Sequence, residues 1–248
     1  MKFVLSAEEI QDFLKAFKPT FREARGLVTI LDTTPEFVRR VLPPPLDPTE
    51  TPVVGVVLVK SLPLNIMAVG VACRFGEIVG EYGLGMVLDT DHPVTYGREL
   101  WGEPKKLGEI FLERDGDRVC GRVGRKGYDL FTAETQVTEP TDPASFSSAD
   151  LFHFKYSIKP DATGIEACRL VHIHMDNDVR SVELCTGTAA FGPSPYDLYG
   201  DIPVVGVRAM FYVDMDQNVQ GRYVAEVDSE ALLPYAFAKH DDYRVLGF

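Results

Sequence analysis

The segment of residues 96–108, YGRELWGEPKKLG, decides how the rest of the chain is interpreted. It contains two adjacent lysines, Lys105 and Lys106, which follow a proline and lie among apolar residues such as Leu100 and Trp101. A buried lysine loses the solvation of its ammonium group, so its pKa falls and a neutral amine becomes available near neutral pH. Such an amine attacks a ketone and forms a Schiff base, which then accepts electrons. The segment therefore predicts a nucleophilic lysine.

Two lysines in a row are more often solvated surface charge, so the pair alone is a weak signal. The whole string is more specific, because Gly-Arg-Glu-Leu is followed after three residues by Pro-Lys-Lys-Leu-Gly. This string resembles the active-site segment of the acetoacetate decarboxylase family. The resemblance implies that Lys105 forms the Schiff base and that Lys106 is a neighbouring cation. Adjacent side chains on a strand often point to opposite faces, and in that case Lys106 would not lie beside the Lys105 amine.

Further stretches extend the resemblance over most of the chain. They lie at residues 25–46, 80–89 and 186–234, in the same order and spacing as in the family. The resemblance implies a closed or cone-like, mostly antiparallel β-barrel with a few peripheral helices. It also implies a homo-oligomer, no metal and no cofactor. The expected partner is a small-molecule oxo acid or ketone.

The resemblance identifies some site residues and leaves others open. Arg25 matches the family's substrate-carboxylate arginine, and Trp101 is a further substrate-binding candidate in the apolar wall around the amine. The two positions that match the family's strand glutamates, Val57 and Ile66, are apolar here. Glu103, two residues before Lys105, is a candidate proton carrier in their place. The favoured alternative is that Glu103 is a rim carboxylate paired with Lys106 or Lys60.

Bulk composition limits the class of protein. The chain has 248 residues and an ordinary globular composition, so one domain covering residues 1–248 is expected. A net charge of −12 disfavours nucleic acid and anionic membranes as partners. Four cysteines without a CxxC spacing favour reduced thiols, and the N-terminal apolar run is too short for a signal peptide. A cytoplasmic protein is expected.

Local patterns predict a mostly β chain with three helices and about a dozen strands. The helices are expected after Ser6, after Thr34 and after Asp228 or Ser229. Residues 51–73 carry one charge and are about as long as a membrane-spanning helix. Their prolines and valine-rich runs favour two buried strands instead. The fold class expected from these elements is one β-dominated α+β domain.

A second polar cluster alternates along a strand. His172, His174, Asp176 and Asp178 are separated by single residues, so all four project from one face. Two histidines with carboxylates can bind a metal. A half-exposed antiparallel strand shows the same alternation without a metal, and we favour that interpretation.

The sequence is compatible with three functions. The first is a Schiff-base-forming lyase that decarboxylates a β-keto acid. The second keeps the iminium but supports aldol, dehydration or cyclisation chemistry. The third is a non-catalytic barrel that binds a hydrophobic small molecule.

Overall fold

The computed structural model describes residues 3–16, 20–62 and 64–237, and most of these residues lie in strands. Their four α-helices are α1 Ala7–Ala16, α2 Pro35–Val41, α3 Asp91–Trp101 and α4 Ser229–Ala236. Two short 3-10 helices cover Pro143–Phe146 and Leu198–Asp201. The twelve strands of the described residues are β1 Thr20–Asp32, β2 Asp47–Pro48, β3 Val53–Leu62, β4 Asn65–Phe75, β5 Ile78–Leu88, β6 Lys105–Leu107, β7 Glu109–Asp115, β8 Arg118–Arg125, β9 Tyr128–Pro140, β10 Ser148–Ile158, β11 Ile165–Phe191 and β12 Gly206–Glu226.

The three helices expected from the sequence begin where their capping residues predict. Ser6 and Glu9 exchange reciprocal backbone–side-chain hydrogen bonds of 2.8 and 3.2 Å at the start of α1. Thr34 accepts a hydrogen bond from the N–H of Phe37 at 3.2 Å at the start of α2, and Asp228 caps α4 in the same way. These three predictions are confirmed.

The sequence does not predict α3, which directly precedes the lysines. Its interior contains Gly97, and glycine disfavours a helix by about 1 kcal/mol relative to alanine. Tertiary packing overrides this preference, because Val94 packs against Met86 and Trp101 is buried against Ile173. The helix ends at Gly102, which adopts a left-handed φ of 74°.

The strand pairings form a closed ring. Pairing runs in the order β10-β5-β4-β3-β1-β12-β11, and an additional pairing of β10 with β11 joins the two ends. Strands β9, β8 and β7 continue from β11. Most pairings are antiparallel, but β5 pairs in parallel with β6 and with β10, so the sheet is mixed. The expectation of a mostly strand fold with few helices is confirmed, whereas the closed or cone-like barrel stays a prediction.

Register assigns the two lysines to different faces of the sheet. Residues directly opposite each other on paired strands project from the same face, so the pairings from β6 to β1 define a row. That row contains Lys105, Met86, Ala68, Val57 and Val28. We call its side of the sheet the Lys105 face. The other side, where Lys106 pairs with Val87, is the Lys106 face.

Each face has its own apolar core. On the Lys106 face, β7, β8 and β9 pack over β1 and β3, and one large cluster includes Leu27, Leu58 and Phe131. On the Lys105 face, three smaller clusters are present, and Phe21 packs against all three. Helix α3 covers part of this face. Lys105 is therefore placed on a face whose described residues are largely apolar.

Most of the described residues in the range 51–73 lie in strands, as the sequence predicts. They contain β3 and most of β4, whose register pairs Val54 with Val71. In the described ranges, no helix is long and apolar enough to span a membrane.

Candidate active site

Strand β6 separates the two lysines. It pairs in parallel with the end of β5, where Met86 is opposite Lys105 and Val87 is opposite Lys106. Because side chains alternate along a strand, the two amines leave the sheet on opposite faces. Both lysines are buried, with 4% and 9% of their surfaces exposed. The structure therefore does not place Lys106 as a cation beside the Lys105 amine.

Lys105 forms a buried ion pair with Glu103. Its Nζ lies 2.7 Å from Glu103 Oε2, and only 6% of either side chain is exposed. The backbone brings the two together, because the N–H of Lys105 donates to the carbonyl of Glu103 at 2.9 Å across Pro104. The structure thus favours a buried partner of the amine over the rim carboxylate that the sequence slightly preferred.

Gly97 gives this pair its space against α3. A Cβ at position 97 would lie 2.1 Å from Glu103 Oε2 and 2.5 Å from Lys105 Nζ. Real contacts of this kind are longer, so any side chain at this position would displace the ion pair. The glycine that weakens α3 locally is therefore required where the helix crosses Lys105.

Lys106 is held by a separate network on its own face. Its Nζ donates to Asp197 Oδ1 at 3.0 Å, and Arg125 donates to Asp197 Oδ2 at 2.9 Å. Only 1% of the Asp197 side chain is exposed. The buried carboxylate contacts two cations, so this network links β6, β8 and the residue before the second 3-10 helix.

A cavity of about 330 Å³ lies on the Lys106 side. Its lining includes Lys106, Arg40, Tyr82, Tyr199 and Tyr235, but neither Lys105 nor Glu103. The cavity is therefore separated from the Lys105–Glu103 pair by the backbone of β6.

Glu81 on β5 is a carboxylate near the site that the sequence does not point to. Its partners in the register are Ala72 on β4 and Leu151 on β10, which places it on the Lys105 face. Burial raises the pKa of the Glu81 carboxyl to about 7. Glycines at positions 55 and 70, inside otherwise valine-rich strands, were the available signal, because glycine in a strand often marks the close approach of another group.

The positions that match the family's strand glutamates face the same way as Lys105. Val57 belongs to the row that contains Lys105, and Ile66 lies two residues from Ala68 on the same face of β4. Both side chains are apolar and pack with Val59 and Val213. The two positions that match the family's glutamates therefore lie on the Lys105 face, but they carry hydrocarbon side chains in place of carboxylates.

The structure does not bring Arg25 to Lys105. Arg25 pairs with Lys60 on the strand position next to Val59, which places it on the Lys106 face. Its side chain is 52% exposed and donates to Asp214 at 2.8 Å. This ion pair raises the pKa of the guanidinium through the hydrogen bond from Arg25 to Asp214. Binding of a substrate carboxylate by Arg25 next to Lys105 is thus not supported by this geometry.

Trp101 lies at the end of α3 on the Lys105 face. It is buried against Val171, Ile173 and Val219, and its indole approaches the backbone at Gly221, which has no side chain. Trp101 helps to exclude water from this face. A direct contact with substrate stays a prediction.

The second polar cluster lies on the Lys106 face and includes a residue that the sequence analysis omitted. Asp150 Oδ1 lies 2.6 Å from His172 Nε2 and 2.8 Å from His174 Nδ1. His174 also contacts Asp176 at 3.3 Å. Although burial alone would raise it, the two histidines lower the pKa of Asp150, and the hydrogen bond to Asp150 raises the pKa of His174.

Asp150, His172 and His174 are the described residues that could hold a metal ion, since their ligand atoms lie within 4.8 Å of one another. Nitrogen and oxygen ligands of tetrahedral zinc are about 3.3 Å apart, because each lies about 2.0–2.1 Å from the ion. The observed contacts of 2.6 and 2.8 Å are hydrogen-bond distances. The arrangement is therefore that of a carboxylate bridging two imidazoles.

The chain is similar to known proteins in sequence and in fold. The family model described as acetoacetate decarboxylase matches residues 10–227. The chain belongs to this family. It is 32% identical over 201 residues to acetoacetate decarboxylase 1 of Bradyrhizobium diazoefficiens, covering 74% of this chain and 77% of that protein.

Solved structures show the same fold. The acetoacetate decarboxylase of Legionella pneumophila superposes with a TM-score of 0.76 and 21% identity, covering 84% of this chain and 89% of the other. The enduracididine biosynthesis enzyme MppR, in complex with the condensation product of pyruvate and imidazole 4-carboxaldehyde, gives a TM-score of 0.71 and 19% identity. Coverage there is 85% of this chain and 90% of the other.

Proposed function

We propose that the protein is a carbon–carbon lyase that forms a Schiff base between Lys105 and a small oxo acid and releases CO2 from a β-keto acid. The observation that carries this proposal is the buried Lys105–Glu103 pair, with 2.7 Å between amine and carboxylate. The pair lies on an apolar face, covered by α3, where a charged intermediate is shielded from water.

The chemistry follows from a neutral amine and an acid in contact. Glu103 accepts a proton from the Lys105 ammonium, and the amine attacks the substrate ketone. Loss of water from the carbinolamine leaves an iminium. The bond to the substrate carboxylate then breaks, CO2 leaves, and the bonding electrons pass to the nitrogen to give an enamine. A proton is added at carbon, and water hydrolyses the new iminium to release the ketone and the amine.

Family membership supports this substrate class. The matched relative carries the name acetoacetate decarboxylase, and the family acts on small oxo acids. The resemblance assigns the Schiff base to Lys105, and among the described residues Glu103 is the acid that forms an ion pair with it.

A second candidate keeps the iminium and changes the bond that is made or broken. The observation that favours it is the hydrocarbon at Val57 and Ile66, where the family's decarboxylases carry glutamates. MppR, a fold neighbour, is seen with a condensation product of pyruvate and an aldehyde. We propose aldol condensation followed by dehydration as this alternative.

Borohydride reduction tests both candidates. The protein is incubated with acetoacetate, with pyruvate, or with pyruvate plus an aromatic aldehyde, and then reduced. We expect a covalent mass gain that Lys105→Met abolishes and that the exposed control Lys60→Met retains. Release of CO2 from acetoacetate supports decarboxylation, and an unsaturated condensation product supports the second candidate. Absence of trapping with every ketone supports a non-catalytic protein that binds a hydrophobic small molecule.

A further inference from the structure

We propose that Glu81 is a second proton carrier of the Lys105 site and that it transfers the proton to and from substrate carbon, while Glu103 serves the amine. This inference rests on the proposed Schiff-base function. It assigns a role to a carboxylate that reaches the Lys105 face from β5, at neither of the two positions where the family's strand glutamates would be.

Placement is the first step. Glu81 pairs with Ala72, and the Lys105 row crosses the same strand, β4, at Ala68. Alternate residues of a strand share a face, so Ala68, Gly70 and Ala72 all project to the Lys105 side. The parallel pairing of Glu81 with Leu151 gives the same result from the other neighbour, since Leu151 packs with Trp101 on that face.

Two glycines provide room for the Glu81 carboxyl group. A Cβ at Gly55 would lie 2.2 Å from Glu81 Oε1, and a Cβ at Gly70 would lie 2.6 Å from Oε2. The two glycines are directly opposite each other on β3 and β4. Glycine weakens a strand interior, so a facing pair filled by one carboxyl group indicates a dedicated slot.

The slot directs the carboxyl group toward the Lys105 row. Gly55 and Gly70 are adjacent, on the same face, to the Val57–Ala68 pair of that row. Spacings of about 3.3 Å per residue and about 4.8 Å per strand put the Cα of Gly70 about 12 Å from that of Lys105. The Lys105 amine lies against Gly97 of α3 and Glu103, so a substrate bound to it would extend across this separation toward Gly70.

The environment of Glu81 differs from that of Glu103. The described part of the chain supplies no hydrogen-bond donor and no cation to the Glu81 carboxyl group, whereas Glu103 contacts Lys105. Its neighbours Gly55, Gly70, Ala72 and Leu151 carry no titratable group. The titratable neighbour on this face is His153, whose buried ring lies over Gly83, the residue opposite Gly70. The nearby Cys73 thiol has a pKa raised to about 12, mainly by burial, and stays neutral. Burial without a counter-charge keeps Glu81 able to both donate and accept a proton near neutral pH.

The proton balance is closed by solvent. In decarboxylation, protonated Glu81 gives its proton to the enamine carbon as CO2 leaves, and the carboxylate regains a proton from water. In condensation, the Glu81 carboxylate removes a proton from the carbon next to the iminium, and returns it to water. No other reactant is needed in either direction.

Hydrogen–deuterium exchange separates this inference from the proposed function. Pyruvate is incubated with each variant in D2O, and loss of its methyl protons is followed by NMR while borohydride trapping is measured in parallel. We expect Glu81→Gln to keep trapping within about twofold and to lower exchange at least about 100-fold. The matched control is Glu77→Gln, the same change in the exposed turn between β4 and β5.

The outcomes are distinct. Normal trapping with unchanged exchange in Glu81→Gln overturns the role of Glu81 and leaves the Schiff base intact. No trapping by the wild-type protein overturns the proposed function and this inference with it. Gly70→Ala is a second probe, because its Cβ displaces the carboxyl group without removing it. The inference is supported if hydrogen–deuterium exchange falls in both Glu81→Gln and Gly70→Ala while their borohydride trapping and circular dichroism match those of the wild type.

Discussion

The two sides of β6 contain the same residue type in different electrostatic surroundings. On one side, Lys105 forms an ion pair with Glu103 and faces apolar clusters covered by α3. On the other side, Lys106 shares Asp197 with Arg125. The first arrangement sets one amine against one carboxylate, whereas in the second a buried carboxylate contacts two cations and links β6 to β8. Strand alternation alone creates this difference between adjacent lysines.

The largest effect is expected on the structural side. Asp197→Asn removes the buried carboxylate that contacts both Lys106 and Arg125, so we expect the free energy of unfolding to fall by about 3–5 kcal/mol. Urea unfolding measures it. The control is Asp178→Asn, at an exposed position of β11, for which we expect the free energy of unfolding to change by less than about 0.5 kcal/mol. A neutral result for Asp197→Asn would remove the structural role from this network.

On the chemical side, Glu103→Gln should lower turnover, measured at a temperature where circular dichroism shows the variant to be folded. The amide cannot accept the proton of Lys105, and a positioned acid or base contributes about 100-fold or more to rate. Trapping rates with acetoacetate measure the effect. Rates equal to those of the wild type would remove Glu103 from the mechanism.

Gly97→Ala should displace the Lys105–Glu103 pair by steric collision. The new Cβ would collide with Glu103 and Lys105, and we expect about tenfold slower trapping, equivalent to about 1.4 kcal/mol. Alanine favours a helix over glycine, so α3 itself should not be weakened. Gly206→Ala, where a Cβ meets open space, is the control. Unchanged trapping in Gly97→Ala would contradict the close contact.

The smallest effect concerns the histidine cluster on the Lys106 face. Because its pKa is raised in the folded state, protonated His174 stabilises the protein below its unfolded pKa of about 6.5. This contribution is lost as the pH rises through the folded pKa. His174→Gln should therefore cost on the order of 0.5 kcal/mol at pH 5.5 and almost nothing at pH 8.5. Melting temperatures at both pH values measure it; an equal loss at both would exclude the charged pair.

Local signals in the sequence were enough for part of this picture. Side-chain caps predicted where α1, α2 and α4 begin, and the string ending in Pro-Lys-Lys-Leu-Gly pointed to the family. These features depend on residues a few positions apart. They needed no knowledge of the tertiary fold.

The remaining features depend on long-range register. Helix α3 forms despite Gly97 because distant strands pack against it. Asp197 lies 91 residues from Lys106 in sequence, and no local pattern marks it as a partner. Glu81 becomes a site residue only when Gly55 and Gly70 are aligned across β3 and β4. The position of Arg25 away from Lys105 has the same kind of cause, since its face is set by pairing with Lys60.

The most direct test of the account is to locate the reduced Schiff base in the chain. The wild-type protein is incubated with acetoacetate or pyruvate, reduced with borohydride, digested and sequenced by mass spectrometry. We predict that the added mass lies on Lys105 and that Lys106 is unmodified. Mass on Lys106, beside the cavity of about 330 Å³, would contradict the assignment of chemistry to the Lys105 face.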